Sequence, residues 1–221
     1  MLPGRGSGME ITMQKTGLIF DMDGTLWDSA SQVALSWSEV IKTQYPEMPP
    51  ITEADMKRVM GKTMDQLAAA LFPQLPVSEQ LTLCELCCLH ENDYLRNHGA
   101  SLYPEVEETL QLLQKKHPLY IVSNCQSGYI EAFLAHYHFE KYFEDIECFG
   151  NNGLKKADNI KKIVARNHLE HAIYIGDIQG DYDASMEAGV DFIHAAYGFG
   201  VISQPVKRIQ CFGELPALLI P

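Results

Sequence analysis

The 221-residue chain has few basic residues and no long apolar run. Its 17 Lys and Arg residues stand against 29 Asp and Glu residues, which gives a net charge of −12 at pH 7. Because proteins bind phosphate backbones through clustered Lys and Arg, we expect no nucleic-acid partner. No stretch reaches the roughly 18 consecutive apolar residues that a membrane-spanning helix needs, so we expect no membrane partner either.

Cysteines are also scarce, and their spacing is too irregular for a disulfide scaffold. The six are Cys84, Cys87, Cys88, Cys125, Cys148 and Cys211. Residues 1–8 lack the apolar run of a signal peptide and are expected to be a disordered, glycine-rich extension. We therefore expect free thiols and a cytoplasmic location, with the chain a monomer or a weak homodimer.

The rest of the chain has the composition of a globular protein, with 46% hydrophobic and 21% charged residues. Short apolar runs end in small or acidic residues at 17–20, 119–122, 172–175 and 191–195. Helical patterns accompany them at 105–116, 129–136, 158–167 and 181–188. Fully apolar strands alternating with helices predict a doubly wound, Rossmann-like α/β fold with a parallel sheet.

Residues 29–100 break this alternation because they are helical throughout. We expect helices over 29–45, 52–60, 63–71 and 78–97, with Thr52 and Ser78 as N-caps. The segment leaves the sheet after the first strand and returns before the helix that leads to the second. It is therefore predicted to be a helical cap domain above the strand ends, with 9–28 and 101–221 forming the α/β core.

The strongest chemical signal is the segment Asp21-Met-Asp-Gly-Thr-Leu26, directly after the first apolar run. Carboxylates at positions i and i+2 of a strand point to opposite faces, so Gly24 must turn the chain if both are to approach one centre. Paired acids on a loop are typical ligands of a hard cation. Taken alone, this motif is better explained by an acidic turn than by a cation site.

Two further motifs follow later strands and a third opens a helical segment, and each is ordinary by itself. They are Ser123-Asn124, Lys155-Lys156, and Gly176-Asp177-Ile-Gln-Gly-Asp181. Together with the first motif they give the order acid pair, hydroxyl, ammonium, acid pair. Ligands of open parallel sheets bind at the carboxyl ends of the strands, where these residues fall.

This order resembles the haloacid dehalogenase superfamily of phosphohydrolases over about Thr16 to Gly200. The similar branch has a helical cap after the first strand and includes phosphoglycolate phosphatases and β-phosphoglucomutases. The resemblance implies a Mg²⁺-dependent phosphatase of a small phosphorylated metabolite, of the phosphoglycolate or sugar-phosphate type. The reaction would pass through an aspartyl phosphate.

The resemblance also implies roles for the acids. Asp21 would be the nucleophile, and Asp23 would protonate the leaving oxygen and then activate water. Mg²⁺ would be held by the carboxylates of Asp21 and Asp177 and by the backbone carbonyl of Asp23. Asp181 would hold metal-bound water or orient the other groups.

The phosphoryl oxygens would be bound by Ser123 and a lysine, with Gly24 and Asn124 at the substrate. The lysine of the family motif is often followed by proline, but no proline follows Lys155 or Lys156, so either could serve. We favour Lys156 because Lys-Ala-Asp-Asn-Ile resembles a Lys-Ala-Glu-Asn-Ile variant of the motif.

In the cap, Arg58 and the turn Gly61-Lys62-Thr63 are the candidates for reaching the leaving group of the substrate. A solvated linker is the alternative. The cluster Cys84, Cys87, Cys88 and His90, and the pair His136 and His138, are interpreted as packing residues rather than metal ligands. The segment Gly198-Phe-Gly200 forms either part of the site wall or a simple turn.

Two other activities remain open at this point. A phosphomutase would return the phosphoryl group to a sugar, and a signalling receiver domain also combines acids, a hydroxyl and a lysine. The long helical insert and the Gly-Thr pair after Asp23 count against a receiver. Since dehalogenases of the superfamily lack the second acid, Asp23 argues against carbon–halogen chemistry.

Overall fold

The computed structural model describes residues 16–219. In chain order its strands are β1 (Thr16–Phe20), β2 (Trp27–Asp28), β3 (Ser101–Leu102), β4 (Leu119–Ser123), β5 (Asp145–Cys148), β6 (His171–Gly176), β7 (Asp191–Ala195) and β8 (Lys207–Ile209). Its helices are α1 (Ala30–Gln44), α2 (Glu53–Val59), α3 (Met64–Leu71), α4 (Val77–His98), α5 (Val106–Leu113), α6 (Tyr129–Tyr137), α7 (Phe149–Asn152), α8 (Lys156–Arg166), α9 (Gln179–Ala188) and α10 (Leu215–Leu218).

Six of the strands form one parallel sheet, in the order β5-β4-β1-β6-β7-β8. The order reverses at β1, as in a doubly wound fold. Alternate residues of β1 enter different cores: Leu18 and Phe20 pack with α5 and α6, whereas Ile19 packs with α8. Burial on both faces explains why the central strands are apolar throughout. The predicted α/β class is confirmed.

Two strands of the sheet, β5 and β8, were not predicted. Both lie at an edge and carry charged residues. In β5 the charges are paired with α8, since Arg166 Nε lies 2.7 Å from Asp145 Oδ2 and Lys162 Nζ lies 2.8 Å from Glu147 Oε2. Because edge strands carry charged side chains, they lack the continuous apolar run by which the central strands are recognised in the sequence.

Residues 29–100 form the four expected helices, α1 to α4, which we call the helical insert. Its two connections to the sheet pair with each other as the short antiparallel strands β2 and β3. The predicted N-cap Thr52 is confirmed by a reciprocal capping box with Asp55. The predicted N-cap Ser78 is wrong, because Pro76 is the N-cap and α4 begins at Val77. The ring of Pro76 already fixes a backbone angle close to that of a helix.

The expectations for residues 1–8, and the part of the predicted core at 9–15, lie outside the described residues. Within residues 16–219 we find no helix with the length and apolar character needed to cross a bilayer. All six cysteines are free thiols, and Cys84, Cys87 and Cys88 are buried in the helical insert.

Candidate active site

Two neighbouring strands bring the paired acids together at the carboxyl edge of the sheet. Because β1 and β6 are parallel with Phe20 opposite Ile175, the residues that follow them, Asp21 and Asp177, lie side by side. Asp181 joins them from the first turn of α9. One carboxylate oxygen from each of the three residues lies within 4.8 Å of the others, and all three side chains are buried.

A buried ammonium neutralises part of this cluster. Lys156 Nζ lies 3.0 Å from Asp21 Oδ1 and 2.6 Å from Asp181 Oδ1. Burial alone would lower the pKa of Lys156, but the two carboxylates raise it well above its usual value. Lys155 is exposed and lies just before α8. Of the two candidate lysines, the structure therefore brings Lys156 to the acids.

The backbone around the acids holds their carboxylates in place. Asp181 Oδ2 accepts hydrogen bonds from the N–H groups of Asp177 and Ile178, at 3.0 and 3.1 Å. Asp177 Oδ2 accepts one from the N–H of Phe199 at 2.7 Å. A Cβ at Gly24, whose φ is +82°, would overlap the Asp177 carboxylate, and a Cβ at Gly198 would overlap both Asp177 and Gly24. The segment at Gly198 is therefore part of the site wall.

The cluster has the donor set of a divalent cation site. Asp177 Oδ1 is buried and has no hydrogen-bond partner among the described residues. Burial, together with Asp181 and Asp21, raises the pKa of Asp177 well above its usual value. Burial likewise raises the pKa of Asp21 to about 7, although Lys156 acts in the opposite direction. Buried carboxylates with unused oxygens fit a hard cation such as Mg²⁺.

Asp23 has surroundings different from those of Asp21. Its Oδ1 accepts hydrogen bonds from the hydroxyls of Ser29 and Tyr129, the latter at 2.7 Å. Burial raises the pKa of Asp23 more than these two hydrogen bonds lower it. Both hydroxyls contact the same oxygen, so Oδ2 remains to carry a proton. This carboxyl can therefore deliver and remove a proton near Asp21.

A cavity of about 40 Å³ lies between these strand ends and the helical insert. Asp21, Asp23, Ser123 and Asn124 line its sheet side. The Nδ2 of Asn124 donates a hydrogen bond of 2.9 Å to the carbonyl of Gly61 in the insert. Asp21, Asp23 and Ser123 thus face one cavity, and Lys156, Asp177 and Asp181 lie beside Asp21 behind its wall.

The family model of haloacid dehalogenase-like hydrolases matches residues 18–195. The chain belongs to this family. Phosphoglycolate phosphatases from Vibrio vulnificus (strain YJ016) and Escherichia coli (strain K12) are 27% and 24% identical to it. The alignments cover 86% and 93% of this chain and 87% and 93% of the two relatives.

A haloacid dehalogenase-like hydrolase structure from Streptococcus pneumoniae has the same fold. It superposes with a TM-score of 0.79 at 22% identity, covering 94% of this chain and 99% of that one. The predicted membership of the haloacid dehalogenase superfamily is confirmed, and with it the prediction of a hydrolase.

Two residues that the sequence offered for the leaving group lie in different surroundings in this hydrolase. Lys62 lines the cavity and is exposed to solvent. Arg58 does not line it: its side chain is 64% exposed and pairs with Asp55 at 3.2 Å. The structure therefore brings Lys62, and not Arg58, to the cavity.

Glu91 of α4, which was not among the predicted site residues, is 4% exposed and lines the same cavity. The indole N–H of Trp37 donates a hydrogen bond to its carboxylate. Burial raises the pKa of Glu91 to about 8, against the effect of hydrogen bonds from Trp37 and Gln126. The signal was present in the sequence: Glu91 continues the buried helical stripe of Cys84, Cys87 and Leu95.

Proposed function

We propose that this chain is a Mg²⁺-dependent phosphatase that hydrolyses a small phosphorylated metabolite through an aspartyl phosphate on Asp21. The observation that carries this proposal is the cluster of Asp21, Asp177 and Asp181 around Lys156. The phosphoglycolate phosphatase relatives support a phosphate monoester as the substrate.

The carboxylates of Asp21 and Asp177 and the backbone carbonyl of Asp23 would hold the Mg²⁺, with Asp181 orienting the set. When bound, the ion offsets the repulsion between these acids and the phosphate dianion. Lys156 and the hydroxyl of Ser123, at the end of β4, would bind the phosphoryl oxygens.

The chain's own acids would carry out both steps. A carboxylate oxygen of Asp21 forms a bond to phosphorus as the bond to the leaving oxygen breaks, and Asp23 gives that oxygen its proton. Asp23 then takes a proton from water, whose oxygen attacks phosphorus and releases Asp21 and inorganic phosphate. Ser29 and Tyr129 hold Asp23 in position for both transfers.

We also propose that the helical insert, residues 29–100, is a cap domain that shields the reaction from water, over a core formed by 9–28 and 101–221. Two contacts support this role. Asn124 bonds to the Gly61 carbonyl, and Gly61 packs against Ile178, next to Asp177. A cytoplasmic location is supported by the six free thiols. A monomer or weak homodimer stays a prediction.

Turnover of p-nitrophenyl phosphate tests the proposed function. The purified chain is expected to hydrolyse it over many cycles with Mg²⁺ and to stop when the metal is chelated. Asp21→Asn should keep the fold, seen by circular dichroism, and lose on the order of 10⁴-fold or more in kcat. Full activity of that variant would refute the assignment of Asp21, and a requirement for a bisphosphate would indicate a phosphomutase instead.

A further inference from the structure

The part of the cavity formed by the helical insert has mainly apolar walls, with one buried acid among them. Val33, Met56, Met64 and Leu67 contribute apolar side chains, and Glu91 contributes its carboxyl group. In a mainly apolar pocket, the few polar groups decide which ligands bind and how they are oriented. Glu91 is therefore the side chain of the insert best suited to discriminate between leaving groups by their polar groups.

Glu91 is held in a fixed position relative to the phosphate end of the cavity. One oxygen accepts the indole N–H of Trp37. The next residue, Asn92, donates from Nδ2 to the carbonyl of Ser127 at 2.8 Å and accepts from Gln126 Nε2 at 3.1 Å. Gln126 and Ser127 belong to the loop that follows Ser123, so α4 is tied to the loop that would bind phosphate.

A buried carboxyl group discriminates between leaving groups by hydrogen bonding and by charge. Trp37 and Gln126 use only part of the accepting capacity of Glu91, so its oxygens can accept a hydroxyl hydrogen. Above about pH 8, the pKa to which burial raises Glu91, its ionised form would repel a leaving-group carboxylate in the same place, in a pocket with little water to screen the charges. Lys62, the basic residue of the insert that lines the cavity, is solvent-exposed and cannot neutralise that buried contact fully.

We propose that Glu91 recognises the leaving group by accepting a hydrogen bond from a hydroxyl, so that under alkaline conditions this chain prefers phosphate esters of polyols to those of hydroxy acids. This inference rests on the proposed phosphatase function and narrows its substrate class. It separates the chain from its phosphoglycolate phosphatase relatives, whose named substrate ends in a carboxylate.

Matched pairs of esters test the inference. 2-Hydroxyethyl phosphate and 2-phosphoglycolate differ only in a terminal CH₂OH or carboxylate, and glycerol 3-phosphate and 3-phosphoglycerate form a longer pair of the same kind. Assays at pH 9 keep Glu91 ionised, since burial raises its pKa to about 8. For at least one pair, the wild-type ratio of kcat/KM for the alcohol to kcat/KM for the acid is expected to exceed about tenfold.

Glu91→Gln removes the charge and keeps the shape, and should lower that ratio by about tenfold. Glu85→Gln is the matched control, because Glu85 is an exposed residue of the same helix and its loss should leave the ratio unchanged. If Glu91→Gln does not fold, Trp37→Phe, which removes the indole donor and leaves an aromatic ring, should lower the ratio by about threefold.

A wild-type preference for the carboxylate esters, or a ratio that neither variant changes, would overturn the inference while leaving the phosphatase function intact. Failure of the wild-type chain to hydrolyse p-nitrophenyl phosphate with Mg²⁺ would overturn the proposed function, and the inference would fall with it. Hydrolysis of p-nitrophenyl phosphate thus distinguishes failure of the proposed phosphatase function from failure of the inference about Glu91.

Discussion

Lys156 lies between two buried carboxylates, and its charge cannot be removed without leaving them uncompensated. Breaking a buried ion pair from one side costs about 3–5 kcal/mol. We therefore expect Lys156→Met to lower the free energy of unfolding by about that amount and to abolish turnover, as measured by denaturant unfolding and p-nitrophenyl phosphate hydrolysis.

Lys155→Met supplies the control for that change. Lys155 is exposed, so its replacement should change the unfolding free energy by no more than about 0.5 kcal/mol and leave kcat intact. Equal effects of the two substitutions on the unfolding free energy and on kcat would show that Lys156 is not the lysine that compensates the charge of the acids.

Residues at strand ends were predictable, whereas residues brought together by helix packing were not. Asp21 and Asp177 follow apolar runs, and parallel strands place such positions at one edge. The contact of Tyr129 with Asp23 joins residues more than a hundred positions apart, and Glu91 reaches the cavity only because α4 packs on Trp37 of α1. The helical stripe of α4 marks Glu91 as buried, but no local pattern of the sequence shows that it faces the cavity or that Tyr129 contacts Asp23.

The turn between α2 and α3 packs against Ile178, the residue that follows Asp177. Gly61 has φ of +81°, and a Cβ there would overlap Ile178, beside Asp177. Gly61→Ala should therefore strain the backbone by about 1 kcal/mol and push aside the terminal methyl group of Ile178. We expect kcat/KM to fall by about threefold, because a side chain next to Asp177 has to move.

Gly189→Ala separates strain from displacement. Gly189 has φ of +75° at the end of α9, with nothing within 4 Å of the position of a Cβ. The Gly189→Ala variant should lose about as much unfolding free energy as Gly61→Ala and keep the kcat/KM of the wild type. A normal kcat/KM for Gly61→Ala would mean that this turn does not position the site.

At the scale of elements, four strands of the large sheet and the helices of the insert were predictable because each has one dominant hydrophobic pattern. The edge strand β8 was not, since it begins with the exposed charges Lys207 and Arg208. The start of α4 was misplaced because a serine at residue 78 fits the pattern of an N-cap, while Pro76 decides the backbone geometry.

The whole molecule carries a net charge of −12 and concentrates three acids in one buried cluster. A cation that binds the folded state alone stabilises it by about 2.7 kcal/mol at a concentration of 100 times Kd. We expect Mg²⁺ to raise Tm by several degrees, as measured by differential scanning calorimetry with and without the ion.

Asp177→Asn should remove most of this response to Mg²⁺. Without Mg²⁺ the variant should melt above the wild type, because it has one buried negative charge fewer, and Mg²⁺ should raise its Tm little. An Mg²⁺ effect of equal size in both proteins would place the cation elsewhere.

The covalent intermediate gives the most direct test of the central claim, that Asp21 and Asp23 act in turn on one phosphoryl group. In Asp23→Asn, p-nitrophenyl phosphate can still react with Asp21, since p-nitrophenolate leaves without needing a proton from the protein. The second step loses the group that activates water. Acid quenching followed by mass spectrometry should find the phosphoryl group on the peptide that contains Asp21. Release of p-nitrophenol with no phosphorylated peptide, or with the phosphoryl group on another residue, would contradict the account.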